Sequence, residues 1–172
     1  MLENITLLSL LATVIILTVL AHVYFYFYLK TLRRQLDSQT YQLYFAATGK
    51  ADLLPLAIER LKVHDPSYSF AGLIEARAAT LSRSTFDEEK RRLEDALWQK
   101  YQALEDESES WPGVKQDHLL SAVGRQLKEA ELSMEREREN YNLLTGRYNK
   151  IAGNLLLKPA ALAAGARKRP LF

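Results

Sequence analysis

The chain contains no cysteine, and that absence removes several chemistries together. Disulfides, thiolate metal ligands, a lipid-modified cysteine and a cysteine nucleophile are all excluded, a usage that suits a reducing compartment. Histidine is nearly as scarce. His22 lies in an apolar run, His64 in a turn and His118 at a helix start, so no Ser/His/Asp constellation is visible. No Glu is followed three residues later by His, the pattern that di-iron bundles use to point ligands inward. No Gly-rich phosphate loop is present. The carboxylate clusters Asp87-Glu88-Glu89 and Glu105-Asp106-Glu107 read as solvated surface, because Asp and Glu are seldom buried unpaired. The expectation is of no catalytic, cofactor-binding or metal-binding residues.

Charge is also missing from one long stretch. Residues 5–29, "ITLLSLLATVIILTVLAHVYFYFYL", hold no Lys, Arg, Asp or Glu in 25 positions. As a helix this run spans roughly 37 Å, against about 30 Å of bilayer hydrocarbon. A cleavable signal peptide would need a positive N-terminal region and a shorter apolar core, whereas only Glu3 precedes the run. We expect a retained transmembrane helix from Ile5 to Leu29 after a short external segment, residues 1–4. Lys30, Arg33 and Arg34 follow the span, and cations beside a span tend to stay in the cytoplasm, so the C-terminal part is expected there. Tyr24 to Tyr28, "YFYFY", reads as an interfacial aromatic belt. A nucleic-acid stacking surface would put these rings at bilayer depth, and no nucleic-acid partner is expected.

Over all 172 residues, 48% hydrophobic and 26% charged residues make a folding composition. Residues 35–172 carry 20 cations against 20 acids, but the part from Lys158 onward holds Lys158, Arg167, Lys168 and Arg169 with no acid. We read 30–157 as a cytoplasmic helical domain and 158–172 as a basic, flexible tail. Leu29, Leu32, Leu36, Leu43 and Ala47 keep helical spacing, so the span is expected to continue as one helix. Gly49 and Pro55 then predict a break or a kink. A turn follows at 63–69, and an Ala-rich helix, "FAGLIEARAATLSR", comes next. Thr85 and Glu88 form a candidate capping box for a helix to about Asp106. Its apolar set is Phe86, Leu93, Leu97, Tyr101 and Leu104, with "DEEKRR" as a solvated face bearing pairs such as Glu88 with Arg92. The segment 106–117 is the longest loop, ending at the N-cap candidate Asp117.

The last helix keeps one seam over five heptads: Leu120, Val123, Leu127, Ala130, Met134, Glu137, Tyr141, Leu144, Tyr148, Ile151 and Leu155. Only Glu137 violates it. Tyr141 and Tyr148 fall on this seam, while Asn142 and Asn149 fall about 100° round the helix, at its flank. The fold class is therefore all-α, an N-terminal transmembrane helix continuing into an antiparallel bundle of three or four long helices.

Several separated segments resemble one family. "ADLLPLAIERLK" resembles the Asp-Leu-Ile-Pro-Asn-Leu-Val-Glu block of the LemA proteins, and "LIEARAATL" their Glu-Ala-Arg-Ala block. "WPGVKQDHLL" is similar to their Tyr-Pro-x-Leu-Lys-Ala segment, "YNLLTGRYN" to their paired Tyr-Asn signature, and "NLLLKPAALA" to their closing Lys-Pro-Ala. The positions carried over are Asp52, Pro55, Glu75, Arg77, Trp111, Pro112, Lys115, Tyr141, Asn142, Tyr148 and Asn149. Leu56 stands where the family has Asn, "ATGKAD" replaces a basic stretch, and "GARKRPLF" replaces an aromatic-acidic finish, which marks a divergent member. The resemblance implies a bacterial inner-membrane protein with one span, an external N-terminus, a cytoplasmic helical domain and no established enzymatic activity.

Function is expected to be that of a membrane-anchored scaffold or adaptor that binds the bilayer through Ile5 to Leu29 and a protein partner of unknown identity. Self-association through the Ser9/Thr13 side of the span or through leftover seam surface is a further expectation. The alternatives are a non-catalytic or regulatory subunit of a membrane enzyme, such as an envelope-stress protease, or an enzyme sharing a site with its partner. The last would need a cleft among Glu59, Glu75 and Arg77. Asn142, Asn149 and the Trp111-Pro112 loop serve either packing or an interaction surface. Arg167-Lys168-Arg169 either touches anionic headgroups or forms a solubilising end.

Overall fold

The computed structural model describes the backbone of residues 2–172 and the side chains from Leu7 onward. Met1 and the side chains of residues 2–6, covering the expected external stub and the start of the expected span, lie outside the described residues. The described residues contain α-helices and short 3-10 turns and no strand. Five α-helices run in chain order: α1 Leu2–His64, α2 Ala71–Leu81, α3 Glu88–Ser108, α4 His118–Ala152 and α5 Lys158–Ala163. The chain is all-α, with an apolar N-terminal helix that continues into an antiparallel bundle. It divides into two compact units. One holds the residues up to Asp37 together with Asn142–Leu171; the other holds Ser38–Tyr141 with Phe172.

In the larger unit, contacts at successive heights fix the helix directions. Gln39, Lys50 and His64 of α1 meet Glu137, Glu131 and Asp117 of α4 or its cap, so these two helices are antiparallel. Asp95 and Glu105 of α3 meet Arg138 and Lys128, which makes α3 antiparallel to α4 as well. Helix α2 runs antiparallel to α1, since Lys62 lies over Phe70 and Asp52 pairs with Arg77. The core fills with Leu54, Ile58, Leu61, Leu73, Leu97, Tyr101, Leu104 and Leu127. At about 2–5 kcal/mol lost per large-to-alanine change in such a core, this layer supplies most of the bundle's cohesion.

The boundaries follow local chemistry. Helix α1 runs unbroken through Gly49 and Pro55, where the sequence predicts a break or a kink. Pro55 has no N–H and so leaves the carbonyl of Ala51, four residues back, without its helical donor. Arg77 Nε donates to that carbonyl at 2.7 Å, and Arg77 Nη2 pairs with Asp52 at 3.1 Å. Ala51, Leu54, Ala57 and Ile58 meanwhile bury one face, and that burial holds the helix across the proline. Asp87, not Thr85, caps α3, accepting from Lys90 N at 2.8 Å. Starting the helix at Glu88 puts Thr85 two residues too early. Asp117 caps α4 as expected, accepting from Leu119 N and Leu120 N at 2.9 and 3.0 Å. Trp111-Pro112-Gly113-Val114 is a type II turn: Gly113 has φ +81°, and Val114 N donates to Trp111 O. A side chain at 113 would also meet the His64 ring at 3.3 Å.

In the smaller unit, every described side chain from Leu7 to Ala21 of α1 is exposed, and burial begins in earnest at Leu29, Leu32 and Leu36. The 158–172 segment, expected to be a flexible tail, contains α5 and has Ala160, Ala161 and Ala164 buried. Helix α5 ends in a Schellman turn. Gly165 takes φ +62°, its N–H donates to Leu162 O, and Ala166 N donates to Ala161 O.

Candidate functional site

The helix face of α1 that carries Leu43, Ala47, Leu54 and Leu61 carries Lys50 at the same spacing, and Lys50 is 1% exposed. The α3 stripe of Leu97, Tyr101 and Leu104, with Phe86 just ahead of the helix, likewise includes Lys90 and Glu94, both fully buried. Burying a charge is tolerable only when it is paired, and these groups find one another. Lys50 Nζ lies 2.5 Å from Glu131 Oε2 and 2.9 Å from Glu94 Oε2, with the Trp98 ring centroid at 5.1 Å. The contact to Glu94 is a buried ion pair, and Lys50 is the nearest cation to that carboxylate. Burial pushes the Glu94 carboxyl above the usual carboxylate range, while Lys50 and Lys90 pull it back. Burial also lowers the Lys90 ammonium, opposed by Glu94 and Asp87. Lys90 Nζ donates to Arg83 O at 3.1 Å and lies 4.2 Å from the Tyr44 ring centroid.

This layer corrects one expectation. "DEEKRR" is not wholly a solvated face, because Lys90 points inward. The Glu88–Arg92 pair does form, at 3.4 Å on the surface. Sequence reasoning missed Lys50, Lys90, Glu94 and Glu131, although a usable signal existed: two apolar stripes interrupted by opposite charges. The seam's violator, Glu137, is answered by the Gln39 amide, which donates to its carboxylate.

The signature positions fall into separate places. Asp52, Pro55 and Arg77 form the helix repair described above. Glu59 and Glu75 are exposed, and Arg77 turns to Ala51 and Asp52. Trp111 is half-buried, 5.0 Å from the Tyr68 ring at the core's edge. Pro112 presents its carbonyl to His64 Nδ1 at 3.1 Å, and His64 Nε2 lies 3.0 Å from Asp117 Oδ2. Lys115 is exposed and borders a cavity of about 380 Å³ with Tyr101, Glu105 and Lys128. Tyr141 is buried and stacks on Phe172 at 4.6 Å. Among the described residues no group of three His, Asp or Glu side chains could hold a metal ion.

In the smaller unit Tyr148 is buried and Asn142 half-buried. Asn149 uses its whole amide on the chain's end: Nδ2 donates to Arg169 O at 2.8 Å and Oδ1 accepts from Arg169 N at 2.9 Å. Arg169 in turn pairs with Asp37 at 2.6 Å. Lys30, Arg33 and Arg34 are exposed, and Lys30 Nζ lies 4.7 Å from the Tyr26 ring centroid within the aromatic belt. Helix α1 is apolar and long enough to cross a membrane, and the most hydropathic window is 0% buried. Compared with protein-family models, with curated proteins and with solved structures, the chain finds no match.

Proposed function

We propose that this chain is a membrane-anchored helical scaffold at the inner face of the bacterial cytoplasmic membrane, related to the LemA proteins, and that it binds a protein partner through its cytoplasmic bundle. The observation that carries the reading lies in α1. Its first part exposes Leu8, Leu11, Ile15, Leu17 and Leu20 at 54–71%, while its last part buries Leu54, Ala57 and Leu61. An apolar surface of that extent is stable in water only if something covers it, and its length suits a bilayer. The cations Lys30, Arg33 and Arg34 immediately after it favour an external N-terminus. The motif resemblance supports the same reading.

The test is fractionation of cells expressing the full chain, followed by affinity capture from detergent-solubilised membranes with reciprocal capture from each candidate partner. We expect the chain to stay in the pellet through an alkaline carbonate wash and a cysteine at Ala103→Cys to resist a membrane-impermeant reagent in intact cells. Extraction by carbonate would refute the anchor, labelling at 103 would refute the orientation, and reciprocal capture of nothing but the chain itself would refute the scaffold role.

A further inference from the structure

The segment after α4 carries the two most exposed leucines among the described residues, Leu155 and Leu156, and a third that is nearly as open, Leu162. Leu155 is 84% exposed, Leu156 82% and Leu162 70%, more than most side chains of the apolar span itself. They are not scattered. Asn154 caps the turn Leu155–Leu157 by accepting from Leu156 N, and Pro159 sits in the first turn of α5, so the three leucines sit on two short elements that follow one another directly. The opposite side of that pair, Ala160, Ala161 and Ala164, is buried. Pro159 and Ala163 line one apolar groove with Thr18, His22, Val23 and Phe27 of α1. Residues 22–27 lie roughly 5–12 Å along the helix axis on the apolar side of Lys30, close to the depth at which interfacial helices sit.

Charge follows the same division. In residues 30–37 and 142–171 there are nine Lys or Arg against one acid, Asp37, which Arg169 already engages. Ser38–Tyr141 carries 14 cations against 19 acids. A basic membrane-side unit with exposed Lys158, Arg167 and Lys168 complements an anionic leaflet.

We propose that residues 155–164 form a second membrane contact, a re-entrant interfacial element that inserts Leu155, Leu156 and Leu162 into the inner leaflet beside the span while Lys158, Arg167 and Lys168 hold anionic headgroups. The occupant is the lipid bilayer, and the inference rests on the anchor reading above. Asn149 and Asp37 fix the chain at Arg169, which returns the element to α1 instead of releasing it. One short apolar turn binds a surface only marginally, so the span and the cations act with it.

Because the chain has no cysteine, single-site probes test this directly in the full protein. A fluorophore is placed at Leu156→Cys, Leu162→Cys, Val14→Cys in the span and Ala103→Cys in the bundle. The proteins are reconstituted in vesicles of phosphatidylcholine alone or mixed with phosphatidylglycerol, with brominated lipids or aqueous iodide as quenchers. We expect lipid quenching at 14, 156 and 162, iodide quenching at 103, and lipid contact at 156 and 162 that is stronger with phosphatidylglycerol. Replacing Lys158, Arg167 and Lys168 together by Gln abolishes that increase, at about fivefold in docking per cation. If 14 meets lipid while 156 and 162 meet iodide as 103 does, the re-entrant element is refuted and the anchor stands. Iodide quenching at 14 would refute the anchor, and with it this inference. Lipid contact at 156 and 162 that is equal in both vesicles would overturn the anionic-headgroup part.

Discussion

Replacing Lys50 by Met removes an ammonium from the middle of the bundle while keeping the length of the side chain. Glu94, with 0% exposure, then loses its nearest counter-charge. It either stays ionised without compensation or takes up a proton. The second route sets a ceiling: holding a glutamate of ordinary pKa, about 4.3, protonated at pH 7 costs about 3.7 kcal/mol at roughly 1.36 kcal/mol per unit. Lys90 lies close enough to draw Glu94 toward its ionised form and so reduces the loss. We expect destabilisation of about 3 kcal/mol, at the lower end of what breaking a buried pair costs. For a chain of this size that corresponds to a fall in Tm of about 6–12 °C. The assay is a circular-dichroism melt of the full chain in detergent micelles, repeated across pH. Burial already holds the Glu94 carboxyl high, and losing Lys50 raises it further. The folded state then binds that proton more tightly than the unfolded chain does. The penalty is therefore full above the variant's folded pKa and fades as pH falls through it, by up to about 1.4 kcal/mol per pH unit. Adding Glu94→Gln should restore most of the loss. An unchanged Tm at pH 7, a loss equal at pH 5 and 7, or a double variant no better than the single one would refute the reasoning.

Three further outcomes follow from the helix junctions. Arg77→Met should cost about 1–3 kcal/mol by leaving the Ala51 carbonyl unpaired, and Pro55→Ala should reduce that cost by restoring an N–H, a coupling that a double-mutant cycle on chemical denaturation would read. Asp87→Ala should cost about 0.5–2 kcal/mol and Thr85→Ala far less, because only Asp87 accepts from the first turn of α3; the same melts decide it. The Leu120 amide, His64 and Arg60 hold the Asp117 carboxyl below the usual range. Its contribution should be present above pH about 3.9 and disappear as pH falls through the folded value, so Asp117→Ala should flatten the acid limb of the stability profile.

How much was legible in the sequence can be judged from particular elements. The apolar run, the Asp117 cap and the Tyr141/Tyr148 seam all depend on residues near one another in the chain, and pattern alone located them. The same is true of the all-α class, which needs only a persistent 3.6-residue period. The turn expected at 63–69 was found two residues late, because α1 runs on through His64. The failures share a different cause. Pro55 predicts a break because the local rule sees a missing donor, but Arg77, 22 residues on, supplies a donor that the rule has no way to count. Thr85 looks like a cap because the first turn's position is decided by which side chain packs beneath it, and Phe86 is buried there.

Composition, periodicity and spacing by themselves determined an apolar segment of membrane length, a helical remainder and the absence of cysteine. The interrupted apolar stripes mark the charges that could go inside, but only tertiary structure decided how they pair. Lys50, Glu94 and Glu131 look like ordinary surface residues one at a time, and only the approach of α1, α3 and α4 turns them into mutual partners, since burial is the property of an environment and not of a residue type. The same holds for the chain's end. A basic stretch after "NLLLKPAALA" reads as a free tail until Asn149 is seen gripping Arg169, because a 20-residue separation carries no local period for a sequence pattern to reveal.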